Sequence, residues 1–385
     1  MPADQNQNKT ELRLALTLAS VIALRMLGLF MILPVFMVLA QDLPGFTPQA
    51  GGLAVGIYGL TQALLQQPFG WLSDRWGRRP VLLLGLFLFA AGGVLAALAE
   101  SMPLLIAGRA LQGCGAIAGV AMAYAADFTR PQRRSISMAI IGVGIGGAFL
   151  LSMMISVPLA TLMGLKGLFW LTVIFALAGV LLVLTLPRRM IVVSELQAPA
   201  RVDMKPVWLL ALSVFLLHAV MTLLFVVLPT LLVGEYQFAL AEHWKIYVPT
   251  MLVSVLIMFP VLRVVSKNLV EQRMMPWAFF ALAVSMGLMG MHLRLAVLAV
   301  LITVYFVGFN LLEAAMPSLL ARITGSKGRG RRMGVYSTFQ FLGAFAGGVI
   351  GGGLLGGIGG HSALLFAAGI CLVWGILFKA LFSDK

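Results

Sequence analysis

The chain has 385 residues, of which 61% are hydrophobic and only 10% are charged. A soluble domain carries about a quarter charged residues, so the composition excludes an ordinary soluble protein and requires lipid as the solvent. The net charge of +14 does not indicate nucleic-acid binding. The basic residues are divided among many short segments between apolar runs and do not form one basic face or arm.

The apolar runs predict an all-α membrane protein with twelve transmembrane helices. A helix needs about 20 residues to cross the hydrocarbon core, and strands would show alternating polarity, which these runs lack. The first run is too long for a signal-peptide core, so we expect it to remain as a spanning helix. The predicted spans lie near 13–40, 50–72, 80–99, 103–126, 135–160, 167–187, 207–233, 243–263, 274–292, 295–320, 333–356 and 362–381.

The distribution of basic residues gives an orientation. With both termini in the cytoplasm, all but five of the 27 Lys and Arg residues fall at cytoplasmic ends of the predicted spans, as the positive-inside rule requires. Lys166, Lys245 and Arg294 fall on the opposite side, and Arg25 and Arg109 lie within spans. We therefore expect a multi-pass protein of a bacterial inner membrane.

Six spans lie on each side of a polar stretch, which suggests a duplicated unit of the kind found in transporters. We expect an N-terminal six-helix bundle at 1–187, a cytoplasmic linker at 188–206 and a C-terminal six-helix bundle at 207–385. No soluble domain is expected after the last span, because that span is predicted to end at residue 381.

The loop after span 2 carries the most specific motif in the chain. It reads Gly70-Trp-Leu-Ser-Asp74-Arg75-Trp-Gly77-Arg78-Arg79-Pro80. A basic cytoplasmic turn would explain the arginines but neither the aspartate among them nor the flanking glycines. The motif resembles the signature of the major facilitator superfamily, Gly-x-Leu-x-Asp-Arg-x-Gly-Arg-Arg/Lys, at the same place between spans 2 and 3.

This resemblance implies a conformational latch. A carboxylate can accept hydrogen bonds from the N–H groups at a helix N-terminus, and in the family Asp74 would meet span 11 in this way. The family also places an acidic partner for Arg78 at the cytoplasmic end of span 4, which matches Asp127. We expect Asp74, Arg78 and Asp127 to hold the two halves together on the cytoplasmic side when the protein faces outward.

Ionisable residues inside membrane helices usually mark functional sites, and here they are Arg25, Arg109, His218 and Glu313. They fall on spans 1, 4, 7 and 10, the helices that line the central cavity in the family. Arg109 and Gln112 resemble the superfamily's Arg-x-x-Gln-Gly motif, which is associated with proton-coupled members, although Arg109 could instead extend towards the membrane surface.

Glu313 and His218 are further candidates for proton coupling. Burial favours the neutral form of a carboxyl group, and histidine changes charge near neutral pH. A structural partner for a buried base and a neutral hydrogen-bonded histidine are the alternatives. Candidates for the substrate cavity, each of which could instead be a helix–helix hydrogen bond, are Arg25, Tyr58, Gln62, Asn310, Tyr336 and Gln340.

The whole chain resembles the drug:proton antiporter group of the superfamily, in particular its YajR-type members. The carrying stretches besides the loop motif are 24–34, 242–247, 309–313, 317–319, 334–337 and 340–342. The Gly-Pro pair of antiporters late in span 5 is replaced by Ser156-Val157-Pro158, which weakens the inference of antiport. Regulation through a C-terminal soluble domain, as in YajR-type members, is not expected.

The resulting hypothesis is proton-coupled export of a small amphipathic or drug-like molecule by alternating access. The alternatives are a proton-coupled importer or facilitator of a metabolite, a membrane enzyme, and a sensor that does not transport. The expected partners are the small-molecule substrate, protons and the lipid bilayer, with no nucleic acid, and the protein is expected to be a monomer. No enzymatic activity, cofactor or metal is expected, because the four histidines and two cysteines lie on scattered segments.

Overall fold

The computed structural model describes residues 2–130, 132–187, 204–268, 270–324 and 329–382, and within these ranges the chain forms helices and no strands. A 3₁₀ turn lies at Leu240–Glu242. The helices are α1 (Pro2–Phe30), α2 (Phe36–Leu39), α3 (Pro48–Trp76), α4 (Arg78–Ala97), α5 (Met102–Cys114), α6 (Ala118–Phe128), α7 (Arg134–Leu184), α8 (Lys205–Gly234), α9 (Trp244–Asn268), α10 (Glu271–Met289), α11 (Leu295–Thr324), α12 (Arg329–Ile358) and α13 (Gly360–Phe382).

Nine helical stretches in the described part of the chain are long and apolar enough to cross a membrane. One of them, Ile136–Leu184, covers two predicted spans. Outside this set are α3 and α10, whose interiors or first turns carry polar side chains such as Gln62 and Glu271. Together these helices account for the twelve predicted spans, and the all-α membrane fold is confirmed.

The helix boundaries differ from the predicted spans at three places. Predicted span 1 is divided, since α1 ends at Phe30 and a turn containing Pro34 precedes α2; proline lacks the N–H that would continue a helix. Span 4 is divided between α5 and α6 near Gly115, whose added Cβ would lie 2.3 Å from the Gly85 carbonyl oxygen. Spans 5 and 6 form α7 with a single break at Gly164, where φ is 64°.

The chain forms two compact units. The first contains Met1–Val35, Leu43–Gly45 and Leu60–Gln197, and the second contains Phe36–Asp42, Phe46–Gly59 and Ala198–Lys385. The predicted linker at 188–206 lies mostly outside the described residues, so the predicted domain boundaries stay a prediction.

In the first unit, α7 packs along both α1 and α4, and α4 also packs on α5. Small residues allow the close contacts. A Cβ on Gly92 of α4 would lie 2.3 Å from the backbone nitrogen of Gln112 in α5, so no larger side chain fits there without separating the helices. This contact fixes how α5, the helix that carries Arg109, lies along α4.

In the second unit, α8 packs along α12, and α10 packs on α11 and α13. Small residues spaced four apart on α12 allow this helix to approach α8 closely. A Cβ on Gly343 would lie 2.1 Å from the Phe215 carbonyl oxygen, and one on Gly347 would lie 2.0 Å from that of Ala219. The two backbones therefore touch on either side of His218.

Candidate functional site

The loop between α3 and α4 is shaped by Gly77, which caps α4 with a φ of 91°. Only glycine adopts this conformation without strain. The neighbouring basic side chains have separate tasks: the Arg75 guanidinium lies 3.9 Å from the centre of the Trp71 ring, and Arg79 donates to the Leu184 carbonyl oxygen at the end of α7, at 2.8 Å. A Cβ on Gly70 would meet nothing within 4 Å, so packing does not explain that glycine.

Arg78 is the centre of this loop. Its Nε donates to Asp127 at the end of α6 at 2.9 Å, and its Nη1 donates to Asp74 at 2.5 Å and to the Ser73 hydroxyl at 2.6 Å. Arg78 is largely buried, whereas the Asp74 side chain is 63% exposed. Hydrogen bonds between charged groups of this kind are stronger than neutral ones. Arg78 therefore ties the loop to the end of α6, with Asp74 at the outer edge.

Arg109 is buried on α5, with 1% of its surface exposed. Its Nη1 donates to Gln112 Oε1 at 2.9 Å, and the Gln112 amide donates to the Thr172 hydroxyl in α7 at 3.0 Å. The spacing of three residues places Arg109 and Gln112 on the same helix face. The pair therefore links a buried charge on α5 to the second part of α7.

Arg25 occupies a comparable position on α1. It is 1% exposed, its Nη2 donates to Gln62 Oε1, and its guanidinium lies 5.5 Å from the Phe89 ring centre. The Gln62 amide in turn donates to Gln66 at 3.4 Å. An arginine cannot lose its proton in this range of pH, so this group supplies a fixed positive charge held by neutral amides.

In the second unit, the structure brings together three predicted residues from three helices: His218 of α8, Glu313 of α11 and Gln340 of α12. The Gln340 amide nitrogen lies 2.9 Å from His218 Nε2 and 3.1 Å from Glu313 Oε1. The other carboxylate oxygen, Oε2, lies 3.7 Å from His218 Nε2. It is buried and has no hydrogen-bond partner among the described residues.

The hydrogen-bond directions in this cluster assign its protons. His218 Nδ1 lies 3.2 Å from the Val214 carbonyl oxygen, which only accepts, so Nδ1 carries a hydrogen. Nε2 faces the Gln340 amide nitrogen, which only donates, so Nε2 is the acceptor in this arrangement. The Gln340 amide then gives one hydrogen to His218 Nε2 and the other to Glu313 Oε1. The arrangement fits a neutral imidazole and an ionised carboxylate joined by one amide, with Oε2 available for a proton.

The other cavity candidates are distributed differently. Asn310 donates to the Ser254 hydroxyl at 3.1 Å and so joins α11 to α9. This contact is a helix–helix hydrogen bond, the alternative given above to a place in the substrate cavity. Tyr336 is buried and lies four residues before Gln340 on α12, which places both on the same helix face. Tyr58 is also buried, with 2% of its surface exposed.

Two ion pairs with buried carboxylates were not predicted from the sequence. Arg130 Nε donates to Glu11 Oε1 at 2.9 Å, and Arg322 makes a two-pronged contact with Glu271, at 3.2 and 2.7 Å. Both carboxylates are nearly fully buried. All four residues lie at the ends of predicted spans, where charged residues are ordinary. Only the packing of the helix ends shows that these residues form buried pairs, unlike other charged residues at span ends.

Comparison with known proteins decides the family. A sequence profile of the Major Facilitator Superfamily matches residues 18–312 and 210–385. The chain belongs to the Major Facilitator Superfamily. The relatives of this superfamily member include the inner membrane transport protein YajR of Escherichia coli (strain K12), which is 38% identical over 380 residues that cover 96% of this chain and 84% of YajR.

The multidrug resistance protein MdtH of Aeromonas salmonicida (strain A449) is 28% identical over 348 residues, which cover 86% of this chain and 84% of MdtH. Among solved structures, the D-xylose-proton symporter superimposes with a TM-score of 0.77 at 14% identity, over 96% of this chain and 97% of the symporter. At that identity the likeness shows the fold alone.

Family membership confirms several predictions from the sequence. The chain is a multi-pass membrane protein and a secondary transporter of the superfamily, similar to YajR-type members. A transporter of this family moves a small-molecule substrate and is not an enzyme, which removes the alternative of a membrane enzyme. The roles assigned to single residues stay predictions.

Proposed function

We propose that this protein exports a small amphipathic or drug-like molecule across a bacterial inner membrane in exchange for protons, by alternating access. Both termini lie in the cytoplasm in this proposal, and the protein acts as a monomer. The names of two relatives support it, since YajR is an inner membrane transport protein and MdtH a multidrug resistance protein. Transporters of this kind bind substrate near the membrane midplane and rock their two halves around it.

The observation that carries the proton coupling is the bridge from Gln340 to His218 and Glu313. The amide uses both hydrogens in this bridge, one towards His218 Nε2 and one towards Glu313 Oε1. A proton that binds His218 Nε2 turns this acceptor into a donor. Two donors then face each other, and the amide of Gln340 has to rotate or withdraw. Protonation therefore changes a contact that joins α8 to α12.

A proton on Glu313 acts on the same bridge. It neutralises the carboxylate and makes Oε2, which otherwise has no hydrogen-bond partner among the described residues, a donor. Loss of the negative charge weakens the hydrogen bond from Gln340 to Oε1, because hydrogen bonds to ionised groups are the stronger ones. In either case α12 is held less firmly to α8 and α11, and the preferred conformation changes.

The remaining candidate residues support this cycle. Asp74 and Arg78, in the loop that also carries Gly70, Arg75, Gly77 and Arg79, form the cytoplasmic latch with Asp127 at the end of α6. Arg109 with Gln112, and Arg25 with Gln62, supply fixed positive charge and hydrogen-bonding amides for the substrate or for a proton carrier. Tyr58, Asn310 and Tyr336 contribute polar groups to the cavity.

A transport assay in proteoliposomes tests the proposal. Purified protein is reconstituted with an internal pH-sensitive dye, a pH gradient of either sign is imposed, and ethidium is the probe compound. Wild-type protein should move ethidium up its gradient in the direction opposite to the proton flow. Glu313→Gln should lose gradient-driven movement and keep ethidium exchange between equal concentrations, since exchange needs no net proton transfer.

Glu242→Gln is the matched control, because Glu242 is exposed and pairs only with Lys245 among the contacts of the described residues. It should behave as the wild type. Gradient-driven transport by Glu313→Gln at the wild-type rate would contradict the proposed proton site. Movement of the probe in the same direction as the protons would instead favour an importer. Movement that does not depend on the pH gradient would favour a facilitator.

A further inference from the structure

Three metal-binding side chains meet at one end of the second unit, far in sequence from one another. Glu235 follows the last residue of α8, His292 lies in the turn between α10 and α11, and His361 is the second residue of α13. Their nearest ligand atoms all lie within 4.8 Å of one another. The three turns follow predicted spans 7, 9 and 11, so the predicted topology places them all on the periplasmic side.

Helix packing assembles this group. A Cβ on Gly360 would lie 2.8 Å from the Leu231 side chain, so the start of α13 packs closely on the end of α8 and brings His361 to Glu235. A Cβ on Gly290 would lie 3.1 Å from the His361 carbonyl oxygen. The turn that carries His292 is therefore packed against the start of α13 as well. The packing of these helix ends therefore brings the three residues near one another.

We propose that Glu235, His292 and His361 form a binding site for a divalent transition-metal ion, with Zn²⁺ as the type. Two imidazoles and a carboxylate are a ligand set of open zinc sites, in which a water molecule or another ligand takes the fourth position. Hard cations such as Mg²⁺ prefer oxygen ligands and should be rejected.

The distances fit a tetrahedral ion after small side-chain movements. Ligand atoms at about 2.0–2.1 Å from a tetrahedral ion are separated by about 3.3 Å. His292 Nδ1 lies 3.4 Å from Glu235 Oε2, and His361 Nε2 lies 2.5 Å from the same oxygen. The His292 side chain is 81% exposed and the Glu235 side chain 40% exposed, so both can adjust, whereas His361 is the fixed member with 16% exposed.

An ion at this position would tie the ends of α8, α10 and α13 together through side chains. Binding of a ligand to the folded state alone raises its stability. Zn²⁺ should therefore raise the apparent melting temperature of the protein. This inference does not depend on the proposed transport function.

The test measures metal binding by tag-free purified protein in detergent, by competition with a chromogenic chelator. Wild-type protein should bind one Zn²⁺ per chain and no Mg²⁺, and His361→Gln and His292→Gln should each weaken binding by more than about tenfold. Because His292 is so exposed, its replacement tests the site even if His361→Gln fails to fold. Glu242→Gln serves as the control, because it replaces a glutamate that is also predicted to lie on the periplasmic side.

Absence of Zn²⁺ binding by the wild type would overturn the proposal, as would binding that survives both histidine replacements. Equal loss in Glu242→Gln would show a diffuse surface effect and would also overturn it. The melting temperature gives a second measurement: Zn²⁺ should raise that of the wild type by a few degrees and leave that of His292→Gln unchanged.

Discussion

Replacement of Gly343 by alanine should disrupt both packing and transport, because the helix contact and the proposed proton site share the same backbones. The added Cβ would lie 2.1 Å from the Phe215 carbonyl oxygen, whereas ordinary contacts begin at 3.4 Å. The helices α8 and α12 must then separate by the difference, about 1.3 Å. Gln340 lies one turn before Gly343, and His218 one turn after Phe215.

The separation is large compared with the tolerance of the hydrogen bond. The distance of 2.9 Å between Gln340 and His218 would grow to about 4 Å, beyond the range of about 3.2 Å in which such bonds form. Overpacking costs about 1–3 kcal/mol, and the better helix propensity of alanine returns at most about 1 kcal/mol. We expect a lower apparent melting temperature and loss of gradient-driven ethidium transport.

Gly353→Ala on the same helix is the matched control, because a Cβ there meets nothing within 4 Å. It should raise the melting temperature slightly, since alanine is favoured over glycine in a helix. Both variants are measured by thermal unfolding in detergent and by the proteoliposome assay. If Gly343→Ala were as stable and active as Gly353→Ala, the proposed dependence of the proton site on glycine packing would be refuted.

Three further predictions follow from the contacts in the two units. Asp74→Asn should insert normally and transport poorly, measured by ethidium movement; full activity would contradict the latch. Arg322→Gln leaves the buried carboxylate of Glu271 without this partner and should lower the free energy of unfolding by about 1–3 kcal/mol. Its melting temperature should be lower than that of the control Arg263→Gln, which replaces an exposed arginine. Gln112→Leu removes both hydrogen bonds of that amide and should lower stability by a similar amount; unchanged unfolding would argue against a structural link there.

The sequence predicts the membrane class and the spans because lipid imposes a strong rule: each span must be long and apolar. The sequence predicts helix boundaries less well, because single residues determine where a helix ends. Gly164 alone separates the two parts of α7, through a positive φ that no apolar pattern shows. At the break near Gly115 the chain packs closely on Gly85 of α4, a contact with a residue 30 positions away in the sequence.

The sites show the same division. Arg109 and Gln112 can be paired from their spacing, but their partner Thr172 depends on how α7 packs. His218 and Glu313 stand out as rare ionisable residues inside membrane helices. Their connection through Gln340 needs three helices in register, which no local pattern encodes.

The ion pairs at the helix ends reveal a relation between the two halves of the sequence. Arg78 is the first residue of α4, the helix of the third span, and pairs with Asp127 near the end of α6, in the fourth span. Glu271 begins the third helix of the second half and pairs with Arg322 near the end of the fourth. The charges are exchanged between the two positions, and both pairs remain attractive, because the sign of the interaction is set by the product of the charges.

The two pairs differ in the geometry of their hydrogen bonds. Arg322 directs both of its Nη atoms to Glu271, which makes a two-pronged clamp between two neighbouring helices. Arg78 uses only its Nε for Asp127, and its Nη1 reaches the exposed Asp74. An exposed carboxylate held by a shared arginine can change partners at little cost, since its alternative is water. The pair in the second half is therefore suited to hold two helices together, and the pair in the first half is compatible with the proposed releasable latch.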